Sequence, residues 1–194
     1  IGLLNVLTGS GVRCDTLVVG RDTPAATGII TLTFFTSLTV DGNAQVGVAA
    51  GRGEILLADP EASMTINGTM TIGNPSGGPG GGAVVLTDAR IEGAGNIVVN
   101  NNGSLTGTGT VAVPHVSAGG IISPGLSPGT LVIDGDLDML PGGKLIIEYA
   151  GWNPGEFHGA HAIDQQATPR IVGVIGSLWL FITPILHYSI TPLL

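Results

Sequence analysis

The sequence predicts an all-β fold: a parallel β-helix (β-solenoid) with irregular coils, followed by an apolar C-terminal tail whose structure it leaves open. Short apolar runs are each interrupted by glycine, proline or serine before a helix could complete three turns, which favours strands joined by turns. The chain holds 33 glycines in 194 residues, and only 10% of its residues are charged although 43% are hydrophobic. A short pattern of small, apolar and glycine residues also recurs, which is typical of strands in successive coils.

This composition excludes several other classes of protein. Disordered chains lack Val, Ile and Leu, in which this chain is rich. A charged fraction of 10% is low for a mixed helical enzyme, because an average soluble domain has ~25%. The net charge of −8 opposes binding to nucleic acid, since phosphates attract Lys and Arg. The single cysteine, Cys14, cannot form an internal disulfide.

The first half of the chain contains short strand candidates separated by turn residues. The apolar runs 3–7 and 16–19 flank a turn at 8–11. Residues 29–40 are β-branched and aromatic enough to form a strand with a corner near Thr36. Further strands are predicted at 45–48, 54–58 and 63–66.

Four segments resemble one another: SLTVDG at 37–42, SMTING at 63–68, GTMTIG at 68–73 and GTLVIDG at 129–135. We therefore expect them to occupy equivalent places in successive coils. One coil cannot bury its inner side alone, whereas stacked coils bury it and pair their backbones ~4.8 Å apart. The spacings between the segments are unequal, which predicts irregular coils with variable loops.

The second half continues this pattern around one low-complexity loop. Residues 74–82 (NPSGGPGGG) are predicted to leave the coil as a loop. Residues 100–103 are predicted to form a turn in which asparagine either adopts a left-handed conformation or stacks its amide on a neighbouring coil. In 131–139 the odd positions are apolar or glycine and the even ones mostly Asp, which is the period of a strand with one side in water. Further strands are predicted at 83–86, 89–91, 96–99, 111–113, 120–122, 130–133, 137–140 and 144–149.

The stretch 107–151 carries a series of linked motifs. It contains GTGTV at 107–111, GGIISPGLSPGTL at 119–131, GDL at 135–137 and GGKL at 142–145, followed by Glu148. This series resembles the closing coils of bacterial β-helical surface proteins, the autotransporter passengers and the exported proteins with PEP-CTERM sorting tails. The resemblance implies a β-helix exported to the bacterial cell surface (outer membrane) or secreted. Members of that group share architecture more than activity.

The chain divides into a β-solenoid at 1–151 and a C-terminal tail at 152–194. Residues 171–194 carry no formal charge and contain Pro184 and Pro192. Their length suits a membrane span of ~20 residues, but prolines oppose a regular helix. The tail is therefore expected to be either a membrane segment or a further apolar coil, and a membrane is expected as a partner only through this tail.

Three aspartates form the main candidate for a ligand site. Asp134, Asp136 and Asp138 have strand spacing, so their carboxylates are expected to line one outward side. Such a group predicts either a Ca²⁺ site or the acidic cluster of a polysaccharide lyase. The competing interpretation is a solvated acidic edge, because no calcium-loop motif surrounds these residues. We assign no metal site or cofactor, and keep these three aspartates as candidates for Ca²⁺.

Further residues are considered for metal binding, catalysis or a hydroxyl lattice. His158, His161 and Asp164 hold metal-ligand atom types, but Gly159 and the preceding Asn-Pro-Gly predict a polar loop. No nucleophile, zinc, phosphate-loop or dinucleotide motif occurs, so no catalytic or cofactor-binding residue is assigned. A glycosidase pair among the scattered glutamates stays open, as does a hydroxyl lattice from the Thr-x-Thr pairs. The glutamates are Glu61, Glu92, Glu148 and Glu156.

The expected function is a structural or adhesive scaffold without catalysis that presents an extended binding face. Its partners would be a glycan, the matrix or a cell-surface ligand. The first alternative is a polysaccharide lyase or hydrolase on the same scaffold. The second is a self-associating fibre or surface-layer subunit, in which apolar end coils would join copies of the chain.

Overall fold

The structure, a computed structural model, describes residues 1–21, 23–125, 129–150, 157–164 and 170–171. Within these ranges every regular element is a β-strand and there is no helix, so the all-β class is confirmed. The strands are β1 (Gly2–Val6), β2 (Gly11–Cys14), β3 (Leu17–Val19), β4 (Thr27–Leu32), β5 (Ser37–Val40), β6 (Ala44–Val46), β7 (Arg52–Leu57), β8 (Ser63–Ile66), β9 (Thr69–Ile72), β10 (Gly81–Glu92), β11 (Asn96–Val99), β12 (Gly103–Ala112), β13 (His115–Ala118), β14 (Ile121–Ser123), β15 (Leu131–Ile133), β16 (Asp136–Met139), β17 (Lys144–Ala150), β18 (Phe157–Asp164) and β19 (Arg170–Ile171).

The strands pair in three series, which we call ladders. Ladder 1 contains β1, β4, β7, the first half of β10, the first half of β12, β14 and β17. Ladder 2 contains β2, β5, β8, the second halves of β10 and β12, and β15. Ladder 3 contains β3, β6, β9, β11, β13 and β16. All of these pairings are parallel, and the chain visits the ladders in the order 1, 2, 3 before returning to ladder 1.

Two sheets result from these pairings. Ladders 1 and 2 belong to a 12-stranded sheet, because β10 and β12 each run through both of them, and ladder 3 forms most of a 7-stranded sheet. Two strands pair antiparallel: β18 with β17, and β19 with β16. Parallel sheets are thus the main feature of the described chain.

The core lies between the ladders and comes from alternate positions of each strand. β5, β7, β8 and β9 show buried residues at every second position. Residues such as Leu32 in ladder 1, Leu38 in ladder 2 and Met70 in ladder 3 have no exposed surface and join one hydrophobic cluster. Burying one such side chain contributes about 1.5–3 kcal/mol. Apolar residues with a period of two therefore hold all three ladders together.

Glycine marks the corner at which the chain enters ladder 1. Gly2, Gly28, Gly53, Gly82 and Gly103 are partners in register. A Cβ atom at Gly53 would collide with the carbonyl oxygen of Val19, and one at Gly82 with that of Val46. Only glycine therefore lets the end of ladder 3 pass so close to the start of ladder 1.

The loop between β9 and β10 is fastened by asparagine side chains. The Asn74 backbone N–H donates to Oδ1 of Asn102 at 2.9 Å, and Nδ2 of Asn102 donates to the carbonyl oxygens of Gly78, at 2.6 Å, and Gly80. Nδ2 of Asn100 donates to the Gly73 carbonyl oxygen at 3.1 Å. The predicted loop at 74–82 is present, except that its last two residues already belong to β10.

Several predicted strands have different limits in the structure. Residues 29–40 form two strands, β4 and β5, separated by a turn at the predicted corner. The strand β2 was not predicted, because its sequence GVRC has little apolar character. The runs 83–86 and 89–91 are one strand, β10, with a register irregularity between Leu86 and Ala89.

Two predictions about whole segments were wrong. The repeats at 37–42 and 63–68 pair in register within ladder 2, and β15 lies in the same ladder, but 68–73 contains β9 and belongs to ladder 3. Similar strand sequences thus occupy two ladders, because a strand with one buried side needs the same alternation in either. The stretch 157–164, predicted as a loop, forms β18, whose backbone pairs with β17 despite the glycine at 159.

The described part of the chain contains no helix that is long and apolar enough to cross a membrane. Residues 172–194, for which a membrane segment or a further coil is predicted, lie outside the described residues. The division at 151 stays a prediction.

Candidate functional site

The three candidate aspartates do not lie on one strand. Asp134 follows β15 in ladder 2, whereas Asp136 and Asp138 belong to β16 in ladder 3. The chain turns between them at Gly135, where a Cβ atom would collide with the Val113 carbonyl oxygen. The prediction that the three carboxylates share one outward side is therefore wrong, whereas the predicted strands at 130–133 and 137–140 correspond to β15 and β16.

A histidine that sequence reasoning did not single out lies beside this group. His115 is the register partner of Asp136, and its Nε2 lies 3.4 Å from Oδ2 of Asp138. Both side chains of the close pair are about one-third exposed. In the sequence His115 and Asp138 stand far apart, so only the register of β13 and β16 shows that they are neighbours.

No group of three or more His, Cys, Asp or Glu side chains that could hold a metal ion occurs within the described ranges. The backbone of the stretch containing His158, His161 and Asp164 is described as β18, but its side chains lie outside the described structure. The same applies to the side chain of Glu148 and to the whole of Glu156. Of the other glutamates, Glu61 lies in the turn before β8 and Glu92 accepts a bond from Nε of Arg90 at 2.6 Å.

A polar group beside ladder 2 connects β2 with the corners that follow β5 and β8. Asp41 accepts hydrogen bonds from Nε and Nη2 of Arg13, at 2.6 and 2.8 Å, and from Nδ2 of Asn67 at 3.2 Å. The bond from Arg13 lowers the pKa of Asp41. Burial, with Asp15 and Asp41 nearby, raises the pKa of the Cys14 thiol, which disfavours the reactive thiolate. These contacts connect successive strands and offer no activated nucleophile.

The outward side of ladder 1 presents two long columns of mostly uncharged residues. We call these two columns, whose residues are in register, the ladder-1 surface. The first column is Leu3, Ile29, Glu54, Ala83, Ser104, Ile121 and Lys144, and the second is Asn5, Thr31, Leu56, Val85, Thr106 and Ser123. Side chains in one column are spaced by the distance between parallel strands, ~4.8 Å. Formal charge occurs in the two columns at Glu54 and Lys144, and the exposed Arg52 lies next to the columns on the same side of β7.

The Thr-x-Thr pairs do not form one hydroxyl lattice. Thr31 and Thr106 belong to the ladder-1 surface, whereas Thr69 and Thr71 lie on β9 in ladder 3 and Thr110 pairs within ladder 2. The hydroxyl groups are therefore distributed over all three ladders.

One exposed aromatic turn was missed because it lay within a predicted strand. Phe34 and Phe35 stand between β4 and β5, and their exposed fractions are 53% and 67%. Phe35 has a φ of 54°, which is unusual for a residue other than glycine. The predicted corner near Thr36 was the only sequence signal for this turn.

Comparison with known proteins returned no match: no family model, no curated protein and no solved structure is similar to this chain.

Proposed function

We propose that this chain is a β-solenoid scaffold, secreted or displayed on a bacterial cell surface, that binds its partner along the ladder-1 surface without catalysis. The solenoid interpretation is supported by the three parallel ladders, which the chain visits in a constant order. Each passage through the three ladders adds one strand to every ladder, as in a coil stacked on its predecessor. The partner class is a glycan, a matrix component or a cell-surface ligand.

The observation that carries the proposed function is the alignment of small, hydroxyl and aliphatic side chains on the ladder-1 surface. Ala83, Ser104 and Thr106 occupy adjacent positions of the two columns, beside Leu56 and Val85. These side chains are half-buried, since their neighbours above and below cover part of each. A regular surface of short and mostly uncharged side chains is suited to an extended neutral partner, because few charged groups have to lose water when the partner binds.

The test replaces Leu56 and Val85 together by aspartate. Both are half-buried outward residues in neighbouring strands, so the carboxylates would disturb the surface while the buried residues on either side stay unchanged. We expect retention on insoluble polysaccharides and matrix-protein surfaces to fall about tenfold or more. The matched control replaces Gln45 and Thr71, which are register partners on the outward side of ladder 3, by aspartate.

Two outcomes would overturn the proposed function. One is that the unaltered chain is retained on none of these surfaces, and the other is that both double variants lose retention equally. Product analysis of the same polysaccharides is the test against the enzyme alternative, since the proposed scaffold should release no shortened chains.

A further inference from the structure

We infer that the turn between β4 and β5 is a binding site for a pyranose ring of a neutral glycan. The inference rests on the proposed function and deepens it by naming a substrate class and the residues that would hold it. The site comprises Phe34, Phe35 and Leu7, which we call the aromatic corner. The three side chains have exposed fractions of 53%, 67% and 65%.

The exposure of the two phenylalanines does not arise from an open end of the ladders. The backbone N–H of Gly9 donates to the Phe34 carbonyl oxygen at 3.2 Å, so the turn after β1 lies on one side. On the other side the N–H of Ala58 donates to the Leu32 oxygen and that of Ser63 to the Thr36 oxygen, at 2.9 and 3.0 Å. The aromatic corner is thus flanked by described turns, and its rings still project into solvent.

Hydrogen bonds hold the backbone of this turn in place. Thr36 is buried, and its hydroxyl donates to the Thr33 carbonyl oxygen at 2.5 Å. The hydroxyl of Thr33 in turn donates to the Val6 carbonyl oxygen at 3.2 Å. Phe35 keeps a positive φ within this bonded turn. Asp88, where β10 passes from ladder 1 to ladder 2, has a similar φ of 53°, so this conformation belongs to the corner between the two ladders.

The charged residues near the aromatic corner indicate which class of ligand it can bind. Residues 23–40 carry no formal charge, and the adjacent turn before β8 contributes Asp59 and Glu61. Carboxylates accept hydrogen bonds from sugar hydroxyl groups, and aromatic rings pack against the C–H face of a pyranose. The same carboxylates repel acidic polysaccharides and anionic lipid surfaces. A neutral sugar therefore fits this corner better than an acidic one or a membrane.

The position of the corner connects it with the ladder-1 surface. β4 supplies Ile29 and Thr31 to that surface and then leads directly into the aromatic turn. A glycan chain lying along ladder 1 would therefore meet the rings at the boundary with ladder 2. The aromatic corner would fix one ring, and the surface would support the rest of the chain.

The test measures binding of neutral cellohexaose and maltohexaose to the full chain by calorimetry, with oligogalacturonate and anionic phospholipid vesicles as comparison probes. Phe34→Ala/Phe35→Gly should weaken binding of a neutral hexasaccharide about tenfold or more, with an unchanged far-UV circular dichroism spectrum. Glycine is chosen at 35 because it fits the positive φ. Phe34→Tyr is the second variant, and it should retain binding because the ring is kept.

The result separates this inference from the proposed function. If the Phe34→Ala/Phe35→Gly variant binds neutral hexasaccharides as tightly as the unaltered chain while the Leu56 and Val85 variant does not, the aromatic corner is wrong and the scaffold proposal stands. Preferential binding of oligogalacturonate or of anionic vesicles would overturn the assignment to a neutral sugar. If neither neutral hexasaccharide binds the unaltered chain, the inference is likewise wrong, and retention on matrix surfaces then decides the proposed function.

Discussion

The amide group of Asn102, at the corner after β11, both accepts and donates hydrogen bonds. Its oxygen accepts the backbone N–H of Asn74, and its nitrogen donates to two glycine carbonyl oxygens of the loop before β10. A loop with the sequence NPSGGPGGG has little side-chain surface with which to hold itself. The conformation of this loop therefore depends on hydrogen bonds made by neighbouring asparagines.

Replacing Asn102 by aspartate should destabilise the protein by about 1–3 kcal/mol. The carboxylate can still accept the Asn74 N–H, but it presents oxygen to the Gly78 and Gly80 oxygens, which lose their donor. The midpoint of urea denaturation at neutral pH measures the change. Asn96→Asp is the matched control, since Asn96 is exposed on the outward side of β11, and its effect should stay within about 0.5 kcal/mol. Equal midpoints for the two variants would contradict this role of Asn102.

Asp41 should make stability depend on pH in the acid range. Its pKa is lowered from 3.8, chiefly by the hydrogen bond from Arg13 and also by that from Asn67. Because the carboxylate binds a proton less readily in the folded state, its contribution is fully present above about pH 4 and is lost as the pH falls through the lowered pKa. Asp41→Asn should therefore reduce the loss of stability at acid pH. The measurement is the midpoint of thermal unfolding between pH 2 and 6.

Arg13→Gln tests the same pH dependence by changing the partner of Asp41. It removes the charged guanidinium whose hydrogen bonds lower the pKa of Asp41, so it should reduce the same loss of stability. A loss of stability at acid pH that is unchanged in both variants would show that the Arg13–Asp41 pair has no part in it.

At the scale of elements, the strands are interchangeable in sequence but not in position. β8 (SMTI) and β9 (TMTI) are nearly identical, have the same burial pattern and follow one another directly, yet they lie in different ladders. What separates them is the corner at Asn67 and Gly68, where a Cβ on Gly68 would collide with the Gly42 carbonyl oxygen. Turn residues thus decide which ladder a strand joins.

This arrangement predicts a specific pattern of cross-linking. Thr39 and Thr65 are register partners in ladder 2, whereas Thr71 belongs to ladder 3. In a Cys14→Ser background, Thr39→Cys/Thr65→Cys should react at both thiols with the short reagent dibromobimane and become fluorescent. Thr39→Cys/Thr71→Cys should not, although it carries the same number of thiols. Equal cross-linking of both pairs in dilute protein would disprove the ladder assignment.

At the scale of the whole molecule, the ladders turn a chain with few charges into a protein with distinguishable surfaces. The outward side of ladder 2 carries Arg13, Arg90 and Glu92, and that of ladder 3 carries His115, Asp136 and Asp138. Ladder 1 keeps charge only at Glu54 and Lys144 in its two columns. The same alternating strands therefore provide three surfaces of different chemistry, and few charges have to be desolvated in the two columns of the proposed partner surface, which are mostly aliphatic and hydroxyl side chains.

The buried hydrophobic residues were largely predictable from local sequence. Alternating apolar residues such as Met64 and Ile66 must turn to one side of a strand, because successive side chains point to opposite sides. Glycine, proline and asparagine between the runs also located most of the turns. The limits of β8 and β11 agree with the predicted strands for this reason.

The candidate site was much less predictable. The alternating aspartates suggested one outward side for all three carboxylates, but Gly135 turns the chain between two ladders and separates Asp134 from Asp136. His115 beside Asp138 and the exposed pair at Phe34 and Phe35 had no distinct signal, since both depend on which strands become neighbours. The sequence of a strand also does not show whether an apolar residue faces the core or, like Leu56 and Val85, the outward surface.

The amino-acid sequence by itself determined that this chain forms β-strands with one apolar side, because that property depends only on the period of two and on the residues that interrupt it. Only the tertiary structure decided which outward residues share a column and which turns are neighbours. Loops of unequal length set the register from one strand to the next, and backbone hydrogen bonds between strands distant in sequence fix it. Ser104 and Ile121 are thus brought side by side by pairing, not by any local pattern.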